Sequence, residues 1–275
     1  MVHALGLGDF QVGRSHECDY PARVTDLPVC TTPVFDTEGD SRQIDQRVRE
    51  TLKNAESVYR VFDDVLESLK PTHIVTQTQC KVCAVSLGDV ERALSGRFST
   101  RPRVVALEPN SLEDIFKDIL RLAEACGVDG QPLVNEIQDE MHEIAAQAPK
   151  RRARVINIEW QEPLMPAGNW IPELATMLGS EGPAWRTWED IVAADPDAIV
   201  CMPCGYDLTR TREEMHWLTE RKGFEDLRSR VFITDGNQYM TRPGPRISKS
   251  LRILAEILYP ESFEPELEGV GWEKF

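Results

Sequence analysis

Short apolar runs of strand length alternate along the chain with longer stretches in which apolar residues recur at i, i+3, i+4 and i+7. The strand-like runs fall at residues 72–76, 103–107, 154–159, 198–202 and 231–234, with shorter candidates at 10–13 and 57–61. Helical spacing covers residues 41–55, where Ile44, Val48 and Leu52 share one face, and then 62–69, 86–94, 111–126, 131–147, 171–178, 188–194, 212–221 and 247–258. That alternation predicts an α/β protein with mostly parallel sheets.

The order of elements also divides the chain. The helix at 111–126, with Ser111 as its N-cap, is followed by a second helix at 131–147 without a strand between them. Pro149 and the basic run Lys150, Arg151, Arg152 then mark a change of composition, after which βα alternation restarts. The expected organisation is an N-terminal α/β lobe at 1–128, a bridging helix within 129–150 and a C-terminal α/β lobe at 151–275. Only Pro132 interrupts the bridge, in the first turn where proline is tolerated, so the helix is expected to be stiff.

Composition narrows the function. Of 275 residues, 31 are Lys or Arg and 46 are Asp or Glu, a formal net charge of −15. An acidic chain repels phosphate backbones and anionic lipid surfaces, which excludes nucleic acid as the expected partner. No run approaches the roughly 18 to 20 apolar residues of a membrane helix. The opening "MVHALGLGDF" shows no basic segment followed by an apolar one, so the sequence as written reads as cytoplasmic, with periplasmic placement open if residues lie upstream. Seven cysteines are an odd number and read as thiols rather than a disulfide frame. Neither a GxxxxGK[ST] phosphate loop nor a nucleophile elbow is present, and a binding protein fits the chain better than an enzyme.

In open parallel sheets, ligands bind outside the carboxyl ends of the strands, which directs attention to residues 14–21, 77–85, 159–170, 202–207 and 235–246. These loops hold aromatic side chains suited to a large planar ligand, namely Tyr20, Trp160, Trp170, Tyr206 and Tyr239, although Trp160 and Trp170 are also plausible as packing of the second lobe. Arg242, in "RPGPR", carries a planar fork that suits a carboxamide, phosphate or carboxylate, while Arg246 reads as a helix-start residue facing solvent or an ion pair. Arg14, His16 and Gln79 add polar lining from the first lobe, and His16 is a candidate metal ligand as well as a hydrogen-bonding residue. Glu159 and Glu162 flank this chemistry as polar lining or, if they share a pocket, as an acid/base pair. Cys80 and Cys83 form a CxxC after a strand, a spacing that places two thiolates on one metal ion. Cys201 lies inside the apolar run "AIVCM" and reads as core, and Cys30 and Cys126 as ordinary thiols.

"LGLGD" with "VGRSHECDYP", "TQTQC", "ADPDAIV" and "RPGPR", in this order around a long middle helix, resemble the cobalamin and ferric-siderophore class of ABC-transporter solute-binding proteins. The likeness covers most of the chain and points to the cobalamin-binding-protein-like branch. It implies two three-layer α/β lobes joined by one rigid helix, a corrinoid or other metal chelate held between the lobes, and an ABC permease as partner. It also implies that Met1 already lies inside the first helix, so that the first strand of lobe 1 is absent. With the lobes closed in the family manner, Cys18, Cys80, Cys83 and Cys204 would converge, a set of soft ligands suited to zinc or an iron-sulfur cluster. A metalloprotein or enzyme using those cysteines is the competing expectation.

Overall fold

The computed structural model describes residues 1–54, 57–78, 85, 87–94 and 100–275. Its contacts divide the chain into two compact units: Met1–Gly39 with Gln43–Val134, and Asp40–Arg42 with Asn135–Phe275.

The first unit opens with turns over residues 2–6 in place of the expected helix, and Met1, Val2 and Leu5 pack on a small core of Val105, Leu107, Leu122 and Ala125. The apolar run at 10–13 does not form the expected strand. Gly8–Phe10 is a 3-10 turn and Phe10 is 78% exposed, and the extended pairing comes just after the run, as an isolated parallel bridge between Arg14 and Val29. Strand β1 (Thr31–Pro33) precedes helix α1 (Ser41–Asn54) and pairs antiparallel with β2 (Tyr59–Val61). Its residues, Thr-Thr-Pro, carry no alternation, which is why the pattern passes over it.

Helix α2 (Asp63–Leu69) starts on two acidic residues that suit its N-terminal dipole, and ends at Lys70, whose φ of 48° breaks the helix ahead of Pro71. Strand β3 (His73–Gln77), helix α3 (Leu87–Leu94) and strand β4 (Arg103–Leu107) follow, and the two strands run parallel in register from His73 opposite Arg103. In α4 (Leu112–Cys126) the Ser111 side chain accepts the Asp114 N–H, as its N-cap position predicts, and Ile115, Ile119 and Leu122 form the buried face. Gly127, at φ 72°, lets the chain leave this helix in the left-handed region. Helix α5 (Gln131–Gln147) comes next without an intervening strand, and the division between the units falls inside it.

The second unit is built on a five-stranded sheet of order β6-β5-β7-β8-β9. Strand β5 (Val155–Trp160) is followed by β6 (Met165–Pro166), helices α6 (Ile171–Met177) and α7 (Trp188–Ala194), and strand β7 (Ala198–Cys201). Helices α8 (Leu208–Glu214), α9 (His216–Thr219) and α10 (Phe224–Leu227) lead to strand β8 (Val231–Thr234), then to α11 (Ile247–Leu258) and strand β9 (Trp272–Lys274). The three central strands β5, β7 and β8 are parallel, while β6 and β9 close the edges antiparallel.

The single helix expected at 212–221 is two. Asp207 starts α8 earlier by accepting the Arg210 N–H, and the chain bends at Met215 so that Met215 and Leu218 both enter the core beside Ile199, Cys201 and Ile233. Cys201 is wholly buried, and desolvation pushes its thiol up to about 12, as befits a core residue. Among the described residues, no helix is long and apolar enough to cross a membrane.

Candidate functional site

Parallel strands β5, β7 and β8 deliver their carboxyl ends to one edge of the second unit, and the segments that follow them supply its chemistry. Trp160 ends β5 with its ring centroid 5.3 Å from that of Tyr206, their planes inclined at 46°. The Trp160 indole N–H donates to the Ser41 carbonyl at 3.3 Å. Tyr206 is buried, with the Arg210 guanidinium 4.8 Å from its ring centroid, and burial together with nearby Glu214 pushes its phenol up to about 12.

The segments after β7 and β8 press together at the backbone. A side chain at Gly236 would run into the Pro203 carbonyl, so this position admits only glycine, and Asn237 N–H donates to the Tyr206 carbonyl at 3.0 Å. A turn of π-helix over Gly236–Met240 is opened by the Asp235 carboxylate, which accepts the Gln238 N–H at 2.6 Å. Burial raises the Asp235 pKa, against that hydrogen bond and the guanidinium groups of Arg242 and Arg246. Arg242 donates to Asn237 Oδ1 at 2.6 Å; Arg246 donates to Gln238 Oε1 at 2.6 Å and lies 5.6 Å over the Tyr239 ring. Arg246 is thus the residue that starts α11, as expected, and is also part of the same surface.

Trp170 is placed differently from the other aromatics. It is 3% exposed and its indole N–H donates to the Met240 carbonyl at 3.1 Å, so it holds the π turn from within the core. Glu159 and Glu162 have separate partners: Glu159 accepts the Gly168 N–H, whereas Glu162 meets Arg42 at 3.4 Å and Arg221 at 3.0 Å. Burial raises the Glu159 pKa.

In the first unit, Arg14 is occupied by its own loop, donating to the carbonyls of Ser15, His16, Cys18 and Thr25. His16 lies 5.3 Å from the Tyr59 ring, with Nδ1 2.8 Å from Thr31 Oγ1 and Nε2 3.5 Å from Glu17; desolvation lowers its pKa. Tyr20 is 57% exposed. Gln79, Cys80 and Cys83 lie outside the described residues, while Cys18 belongs to one unit and Cys204 to the other. Among the described residues, no three His, Cys, Asp or Glu side chains come together as a metal site.

Sequence pattern pointed to the strand ends and thereby to Trp160, Tyr206, Tyr239 and Arg242. It did not find Ser41, Arg42, Arg210, Glu214, Asn237 or Gln238. Ser41 is 119 residues from Trp160 and carries no signal of that meeting, and Arg210 falls just ahead of the helix expected at 212–221.

No protein-family model matches the chain, and no curated protein does. Solved structures do. A possible iron-binding periplasmic solute-binding protein from Staphylococcus epidermidis superposes with a TM-score of 0.67 at 18% identity, over 94% of this chain and 93% of its own. A periplasmic heme-binding protein from Pseudomonas aeruginosa gives 0.66 at 16% identity, over 95% and 89%. The periplasmic vitamin B12-binding protein of Vibrio cholerae gives 0.60 at 16% identity, over 96% and 93%. The fold of this chain is that of the class III periplasmic binding proteins.

Proposed function

We propose that this protein, which has the fold of the periplasmic chelate-binding proteins, binds a metal chelate with a broad apolar face, of the corrinoid or heme kind. The observation that carries the reading is the Trp160–Tyr206 pair at the carboxyl edge of the second sheet, bordered by Tyr239 and the guanidinium groups of Arg210, Arg242 and Arg246. Aromatic faces offer dispersion and stacking to a flat macrocycle, and planar guanidinium groups suit the amide or carboxylate arms at its rim. Solved structures of this fold include binders of heme, vitamin B12 and, as described, iron. The same likeness favours a periplasmic setting and an ABC permease as partner over the cytoplasmic placement expected from the sequence.

Titration with cyanocobalamin and with hemin, followed by calorimetry, tryptophan quenching and the ligand's visible absorption, tests the reading. Saturable binding of either supports it, and the stronger of the two names the chelate. Absence of heat and of quenching with both at about 100 μM, far above a micromolar dissociation constant worth about 8 kcal/mol, overturns it.

A further inference from the structure

Five residues of the second unit form a closed ring of contacts. Glu214 Oε2 accepts the Ser41 N–H at 3.0 Å, and the Ser41 carbonyl accepts the Trp160 indole N–H at 3.3 Å. Trp160 meets Tyr206 with ring centroids 5.3 Å apart; Arg210 lies 4.8 Å over Tyr206, and its Nε is 4.0 Å from Glu214 Oε1, which returns to the start. Glu214 is 3% exposed and Ser41 is fully buried.

Two features separate this arrangement from ordinary helix capping. The first N–H groups of a helix lack intrahelical partners and are commonly served by a local side chain. Here a carboxylate 173 residues away serves the first residue of α1, a place where negative charge is also favoured by the helix dipole. Moreover, Ser41 takes part through its backbone on both sides, N–H and C=O, while its own hydroxyl has no hydrogen-bond partner. The two groups belong to the successive peptide planes on either side of the Ser41 Cα, whose torsions are those of the first residue of α1. An anchor on the first plane therefore steadies the second, and the carbonyl of that second plane is what the Trp160 indole donates to.

We propose that Glu214 is a positioning residue of the chelate site: by gripping the first peptide of α1 it orients the Trp160 indole against Tyr206 and so sets the aromatic face presented to a ligand. The proposal rests on the reading that Trp160, backed by the buried Tyr206, faces the chelate. A buried carboxylate is costly unless hydrogen-bonded, so its grip on Ser41 is expected to hold firmly.

The test compares wild type with Glu214→Met, which keeps the length of the side chain and removes its acceptor oxygens, and with Trp160→Phe, Tyr206→Phe and the double variant Glu214→Met/Trp160→Phe. Near-ultraviolet circular dichroism of the ligand-free proteins identifies the Trp160–Tyr206 contribution as the signal lost in both aromatic variants. Glu214→Met is expected to lose much of the same signal with its far-ultraviolet spectrum unchanged. It is also expected to weaken cyanocobalamin or hemin binding about three- to tenfold, with the double variant no weaker than Trp160→Phe alone, because residues of one network are not additive. Glu181→Gln, which removes an exposed carboxylate paired with Arg152, is the control for lost charge and leaves both readouts as in wild type.

A wild-type near-ultraviolet spectrum in Glu214→Met, or an affinity loss that adds fully to that of Trp160→Phe, overturns the proposal. If Glu214→Met does not fold, Ser41→Pro removes the same N–H at a helix position that accepts proline, and carries the same expectations. If neither chelate binds wild type, the functional reading fails, while the ligand-free spectra still decide whether Glu214 orients Trp160.

Discussion

The Glu256 carboxylate accepts the indole N–H of Trp272 at 2.7 Å, and neither residue has more than slight exposure. The same carboxylate accepts the N–H groups of Glu266 and Leu267 at 3.1 Å each and pairs with Arg252 at 2.8 Å. One side chain of α11 thereby ties down the loop that returns the chain to β9. Glu256→Ala leaves the buried Trp272 indole N–H and the N–H groups of Glu266 and Leu267 without this acceptor, while Arg252 keeps the Glu266 carboxylate at 3.0 Å and the Glu264 carbonyl at 2.8 Å. A buried donor left unsatisfied costs about 1–3 kcal/mol. The urea midpoint should fall accordingly. Glu256→Gln, which keeps an acceptor oxygen, should lose less, and equal loss in the two variants would show that the hydrogen bonds are not what matters.

What the sequence reveals and what it conceals follow from how each element is stabilised. Strands β5, β7 and β8 are buried on both faces and write themselves as apolar runs, as in Ala198–Cys201, all four residues of which are buried. Edge strands β6 and β9 consist of Met-Pro and Trp-Glu-Lys, and only pairing with a neighbour makes them strands. For the candidate site, topology placed Trp160, Tyr206, Tyr239 and Arg242 because strand ends are local features. The contact of Glu214 with Ser41 joins positions 173 residues apart, and such a pairing leaves no periodicity to read. Trp160 and Trp170, ten positions apart in the segment 159–170, look equivalent in sequence; only burial separates the partly exposed indole from the core one.

The packing of the segments after β7 and β8 predicts an intolerant glycine. A methyl group at Gly236 meets the Pro203 carbonyl, which is backbone and cannot rotate away. Gly236→Ala should therefore reach or exceed the upper end of the about 1–3 kcal/mol typical of overpacking. Chelate affinity should fall with it, since Tyr206 and Asn237 are joined across the same contact. Gly168→Ala, where the added carbon meets nothing within 4 Å, serves as the comparison, and similar melting temperatures for the two variants would refute the close approach.

Glu159 gives a pH-dependent expectation with a definite sign. Burial raises its folded-state pKa above the ordinary value of 4.5, with the Gly168 N–H opposing. The folded protein then binds the proton more tightly than the unfolded chain, so this group's contribution is fully present below the unfolded pKa and is lost as pH rises through the folded one. Glu159→Gln removes that loss. The stability difference between variant and wild type should thus grow in favour of the variant as pH rises from about 4 towards 7. Thermal melts across that range check it, and a flat difference curve would mean that Glu159 is not desolvated.

Trp160 and Trp170 should respond in opposite ways to the same substitution. Trp170 is core, its indole N–H held by the Met240 carbonyl. Phenylalanine there removes the donor, leaves that carbonyl without this partner and vacates part of the indole's volume, which together are worth about 1–3 kcal/mol of stability. Trp160 is only partly buried and stands at the strand edge against Tyr206, so Trp160→Phe should cost under about 1 kcal/mol of stability. Its loss should show in the ligand titration, as weaker cyanocobalamin or hemin binding by about tenfold, equivalent to 1.4 kcal/mol, and as smaller tryptophan quenching. Trp170→Phe should change affinity by less than about threefold, because its contact with the candidate surface runs only through the backbone of Met240. Paired urea and chelate titrations of the two variants separate these roles. If Trp170→Phe proves the more damaging to affinity and the gentler on stability, the assignment of the two indoles is reversed and the chelate surface has to be redrawn around Trp170.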